Sequence, residues 1–188
     1  MTEQEWLTST DPTQILEFLK GNASDRKLIL FAVHHWSDEM AADDEWYQEI
    51  DTITEEVIGG REDLSQLIRM FGAFDFEVFN PAPHWWATVV IRRTQAHPSQ
   101  ARALESQSLR CIFGNPFRPA VANPAWFTST VLALATGIYE DRAFDRLPIL
   151  ADALQDAGCE NADILNHCRS DGPHVRGCWV IDLLLGKS

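Results

Sequence analysis

Helix boundaries are marked more clearly in this chain than any other feature, above all in its last forty residues, Leu147 to Gly186. Pro148 opens one helix, which turns Ile149, Leu150, Ala153 and Leu154 inward and has Gly158 placed to end it, because glycine takes the left-handed backbone of a C′ position without strain. Asn161 can accept hydrogen bonds from the free amides that start a second, carrying Ile164 and Leu165. Asp171-Gly172-Pro173 is placed to cap a third, over Val175–Leu185, which ends at Gly186. That last helix is apolar nearly all round, the pattern of a central helix.

The same punctuation recurs earlier. Asp11-Pro12 starts a helix whose buried stripe is Ile15, Leu16, Phe18 and Leu19, and Gly21 stops it. Ser24 or Asp25 can cap the next, with Leu28, Leu30, Phe31, His35 and Trp36 inward, and Asn123-Pro124 opens a helix bearing Trp126, Val131, Leu134, Ala135 and Ile138. Between Pro98 and Phe113 a further helix carries Ala101, Leu104, Leu109 and Ile112. The expected fold is all-α: seven to nine helices in a single irregular bundle, one domain over residues 1–188. Two stretches depart from it. Residues 113–123 hold prolines at 116 and 119, with another at 124, so this stretch is read as an extended strap, pinned by Phe113 and Phe117. Over 74–91 the alternation Phe74-Asp75-Phe76-Glu77-Val78 fits a strand of a small hairpin, but a two-stranded ribbon alone is marginal and a helix from about Trp85 is the favoured reading.

The net charge of -13 lies almost wholly in residues 1–63, which hold 16 Asp and Glu against 4 Lys and Arg, chiefly in the acidic segment 38–63. A phosphate-binding basic footprint is absent, which argues against direct nucleic-acid binding and against anionic membrane surfaces. The acidic segment reads as a solvated helix face, a docking surface for a basic partner, or an acidic DNA mimic. It lacks the alternating acids and central glycine of a calcium loop. No apolar run reaches bilayer-spanning length and the first residues lack a signal-peptide pattern, so a cytoplasmic protein with reduced cysteines is expected.

Met1-Thr-Glu-Gln-Glu-Trp-Leu7, Ser24-Asp-Arg-Lys-Leu28, Ile112-Phe-Gly-Asn-Pro-Phe-Arg-Pro119, Arg142-Ala-Phe-Asp-Arg-Leu-Pro148 and His174-Val-Arg-Gly-Cys-Trp-Val180 resemble a family of short hypothetical proteins abundant in planctomycete bacteria. The resemblance covers about the first thirty residues and nearly everything after Cys111, and leaves roughly 37–108 unmatched. It implies a bacterial, cytoplasmic, helical protein and carries over no function. Members of that family often carry cysteines and a basic pair where this chain has Val33-His34-His35-Trp36.

The chemistry-bearing residues concentrate at the C-terminus, where Cys159, His167, Cys168, His174 and Cys178 fall within 147–186. His174 and Cys178 are four apart, one face of the expected last helix, and His167 and Cys168 end the helix before it. These four, His167, Cys168, His174 and Cys178, are the candidate metal ligands, and zinc suits a mixed sulfur and nitrogen set. Adjacent positions on a helix diverge by about 100°, which sets His167 and Cys168 against serving one ion. The same residues read otherwise as packed histidines and small buried thiols, or as a Cys178–histidine nucleophile lacking an oxyanion turn. Arg118, Arg142 and Arg146 form a candidate anion pocket, against the plainer reading of arginine–carboxylate ties on the strap and linker. With no catalytic constellation evident, the leading expectation is a non-enzymatic helical module acting through a protein partner or as a homo-oligomer, needing no cofactor. The alternative is a metal-binding protein or small metalloenzyme that holds zinc through the C-terminal cluster.

Overall fold

The computed structural model describes residues 1–40, 44–58 and 99–187. The fold is all-α. Among the described residues there are nine α-helices and no strand: α1 (Glu3–Thr8), α2 (Pro12–Leu19), α3 (Asp25–Met40), α4 (Asp44–Ile58), α5 (Ser99–Phe113), α6 (Ser129–Asp141), α7 (Leu147–Asp156), α8 (Ala162–Arg169) and α9 (Trp179–Leu185). Single 3-10 turns at Pro124–Trp126 and Phe144–Arg146 precede α6 and α7. The segment 74–91, where hairpin and helix compete, lies outside the described residues. None of the described helices is long and apolar enough to cross a membrane.

Contacts divide the chain into two compact units, one of Met1–Thr10 with Ser106–Ser188 and one of Asp11–Glu105. In the second, Asp11 caps α2 by accepting the Thr13 amide at 3.0 Å and pairs with Arg102 at 2.5 Å. Helix α3 follows Ser24, whose hydroxyl accepts the Lys27 amide, and buries Leu28, Ile29, Leu30, Phe31 and Ala32. Residues 44–58 of the acidic stretch form α4, which packs on α3 and buries Ile53 and Thr54.

The first unit contains α6 to α9 with the end of α5, around Leu109, Ile112, Val131, Ile138, Leu147, Leu150, Leu154, Ile164, Val180 and Ile181, all buried. The caps read from sequence at the end of α7 and the start of α8 are present. Gly158, at φ +84, closes α7 by donating to the Gln155 carbonyl while Cys159 donates to that of Leu154, a Schellman closure with both Leu154 and Cys159 buried. The Asn161 side chain accepts from the amides of Asp163 and Ile164 at the start of α8.

Four expectations are corrected. Pro124 opens a 3-10 turn, and Thr128 rather than Asn123 caps the α-helix that follows, because its hydroxyl accepts the Val131 amide. Ile149 and Leu104 are 56% and 53% exposed, so they lie off the buried stripes of α7 and α5. The strap is irregular as expected, but Phe117 is 39% exposed rather than buried in the core. The tie is polar: the Asn115 amide and the Arg118 guanidinium both donate to Glu3 of α1, at 2.7 and 2.5 Å. Finally, the last helix begins at Trp179 instead of Val175. Gly177, at φ +87, sits third in a turn closed by the Cys178 amide donating to the Val175 carbonyl, and a positive φ there takes the chain off the helical path.

Arg110 of α5 anchors the N-terminal helix. Its guanidinium donates to the carbonyls of Trp6, at 2.7 Å, and of Ser9, acceptors that the C-terminal end of a helix leaves open. Trp6 itself is 1% exposed. Arg110→Met keeps most of the aliphatic stem and removes both charged donors, and is expected to lower stability by about 2 kcal/mol. Urea unfolding of the two proteins measures it; a midpoint unchanged by the substitution would contradict the anchoring role.

Candidate metal centre

Each donor of the centre is placed by a feature of the backbone. Cys111 lies in the last turn of α5, on the buried stripe with Leu109 and Ile112. Gly114, at φ +67, ends that helix against the ring of Trp179; a Cβ added there would stand 3.1 Å from the indole, so the close approach requires glycine. The same indole packs on His167, with ring centroids 5.4 Å apart. His167 occupies the last turn of α8, whose Ile164, Leu165 and Cys168 are buried. His174 and Cys178 lie in the irregular segment between α8 and α9, and the turn at Gly177 brings Cys178 back.

The result is a convergence of four donor atoms. One ligand atom from each of Cys111, His167, His174 and Cys178 lies within 4.8 Å of all the others. His167 Nε2 stands 3.2 Å from Cys178 Sγ and 3.8 Å from Cys111 Sγ, and His174 Nδ1 is 3.9 Å from Cys111 Sγ. Tetrahedral zinc with two sulfur and two nitrogen ligands sets its donors roughly 3.3–3.8 Å apart, so the cluster is near the size that such an ion requires. The two sulfurs are 2% and 0% exposed, and the imidazoles are half-buried.

The surroundings of the donors favour a ligand geometry. His174 Nε2 lies 3.0 Å from the carbonyl oxygen of Ser170, and an N–H there leaves Nδ1 as a lone pair facing the cluster. The two imidazoles meet edge to face, centroids 4.9 Å apart, and Ser170 fixes the end of α8 by donating its amide and hydroxyl to the His167 carbonyl. Burial alone would push the Cys178 thiol up, but hydrogen bonding to Cys111, His167 and His174 outweighs it and holds the group well below the usual thiol range. Burial, reinforced by Cys178, pushes the Cys111 thiol well up. Of the two thiols, Cys178 is the one favoured as thiolate, the form in which sulfur binds metal.

Three of the four residues singled out from sequence are brought together: His167, His174 and Cys178. Cys168 is not. It points from α8 into the core, 0% exposed, where burial pushes its thiol up. The 100° divergence of adjacent helical residues separates it from His167, and Cys111 takes the fourth position. The expected i, i+4 pairing of His174 with Cys178 on one helix is also corrected, since both precede α9. The arginines remain on separate duties. Arg118 pairs with Glu3 and Asp163, Arg146 stands 3.8 Å from Asp141, and Arg142 ends α6 in the left-handed region at φ 53. Arg118 fits the plainer reading, a tie that holds the strap.

Comparison with protein-family models, with curated proteins and with solved structures gives no match to this chain.

Proposed function

We propose that this is a metal-binding protein whose first unit is built around a structural zinc centre of Cys111, His167, His174 and Cys178. The carrying observation is the convergence of two sulfur and two nitrogen donors within 4.8 Å, from segments more than fifty residues apart. The donor set suits zinc over magnesium, calcium or manganese, which prefer oxygen. Four protein ligands complete a tetrahedron and reserve no position for a substrate, the arrangement of a structural site rather than a catalytic one. The ion would tie the end of α5 to the segment between α8 and α9. A cytoplasmic, bacterial setting agrees with the reading, because free thiols persist in a reducing compartment. The protein-contact reading has no observation of comparable specificity behind it.

Elemental analysis of the full chain, purified without a histidine tag, tests the proposal. About one equivalent of zinc is expected, and cobalt(II) loaded in its place should give the visible absorption of a tetrahedral thiolate site. Less than about a tenth of an equivalent of zinc after reconstitution, together with no cobalt spectrum, would end it.

A further inference from the structure

We propose that the centre is also a redox-controlled metal site, in which a peroxide joins Cys111 to Cys178 as a disulfide and expels the ion. The inference rests on the zinc reading above and adds to it the regulation of that site.

The two sulfur ligands belong to different segments and lie within 4.8 Å of each other. A disulfide brings sulfurs to about 2.05 Å, so they must close further. Cys178 is the more adjustable of the pair: it lies outside the helices, at φ -46 and ψ 124, directly after the left-handed Gly177. Oxidation removes both sulfur ligands together and leaves His167 and His174, two neutral donors that hold zinc weakly. The new covalent bond joins the same two segments that the ion joined, the end of α5 and the stretch before α9. The fold thus keeps its tie while the metal departs, which makes the change reversible in principle.

Access to the sulfurs is restricted. Both sulfurs are buried, but His174 lines an open cavity of about 290 Å³ with Phe144, Asp145, Pro148, Ser170 and Asp171. That cavity has room for a molecule the size of hydrogen peroxide beside the ligand His174. Cys159 and Cys168 are buried outside the donor cluster and offer no sulfur at that point.

The step balances. Each ligand sulfur gives up one electron and the S–S bond forms. The O–O bond of the peroxide breaks, takes those two electrons with two protons from solvent, and leaves as two waters. Zinc departs as the divalent ion with its oxidation state unchanged.

The test uses the zinc-loaded full chain, hydrogen peroxide and a zinc-responsive dye, with mass spectrometry of the digested product. Expected are one zinc released per disulfide, a cross-link between the peptides containing Cys111 and Cys178, and rebinding of zinc after dithiothreitol. Cys168→Ser should release zinc at the unchanged rate. Retention of zinc under peroxide, or release accompanied by sulfinate or by a disulfide through Cys159 or Cys168, would overturn the switch and leave the zinc centre standing. A chain that loads no zinc before any peroxide is added overturns the zinc reading itself.

Discussion

Cys111→Ser is expected to abolish stoichiometric zinc binding, although this residue lies 56 positions from the nearest of the other three donors. Serine is nearly isosteric but a poor ligand for zinc at neutral pH, and three remaining donors do not close a tetrahedron. Binding to the folded state alone stabilises it by mass action, and zinc at a thousand times its dissociation constant contributes about 4 kcal/mol. The variant should lose roughly that much, seen as a lower melting temperature with zinc present and a much smaller difference once both proteins are treated with chelator. His167→Ala and Cys178→Ser should do the same. Cys168→Ser and Cys159→Ser are the discriminating controls, because both thiols are as buried as the ligands but stand outside the cluster. Both should retain a full equivalent of zinc whatever they cost in packing. If Cys168→Ser emptied the site and Cys111→Ser did not, the assignment of the fourth ligand would be wrong.

Which parts of this centre were legible in the sequence follows from how local each cause is. His167, His174 and Cys178 fall within twelve residues, so a cluster of metal-ligand types was visible before any fold was known. Cys111 was not. It sits in an apolar helical stripe beside Leu109 and Ile112, where a cysteine reads as a small core residue, and only tertiary packing carries it to the cluster. The last helix misled for a different reason. Val175 to Leu185 is apolar enough to be helical throughout, yet the positive φ of Gly177 makes a turn that aims Cys178 at the histidines. Caps were the most legible feature because each is a local bargain between a side chain and the nearest amides, as at Asp11, Asn161 and Gly158. The start of α1 is equally local. Thr2-Glu3-Gln4-Glu5 has the spacing of a capping box, and its reciprocal bonds, 2.7 Å from the Thr2 amide to Glu5 and 3.2 Å from the Glu5 amide to Thr2, start α1. That helix places Glu3, which ties the strap down, and the carbonyls that Arg110 reaches.

The second large effect concerns acid. Burial, helped by the neighbouring His34, depresses the His35 imidazole from 6.5 to about 3. Its Nε2 is enclosed without a hydrogen-bond partner, and its ring packs on Phe31 with centroids 4.7 Å apart. The folded chain therefore keeps this group neutral while the unfolded chain protonates it near 6.5, so the unfolded state binds the extra proton over the interval between the two values. The stability this group provides is complete above about pH 6.5 and is lost progressively as pH falls towards about 3. Each pH unit within that window costs up to about 1.4 kcal/mol, so going from about pH 7 to about pH 4.5 should remove roughly 2–3 kcal/mol through His35 alone. His35→Phe fills the same space, has nothing to titrate, and leaves no enclosed nitrogen. It should match the native chain at neutral pH, or slightly exceed it, and should pull ahead by that amount in acid. Protonation of the zinc ligands and of the carboxylates also weakens the protein at low pH, but it does so equally in both proteins. The quantity to measure is thus the difference between their unfolding free energies at the two pH values, with chelator present throughout. Parallel pH curves for the two would mean that His35 is protonated in the folded state, and that α3 leaves its ring open to water.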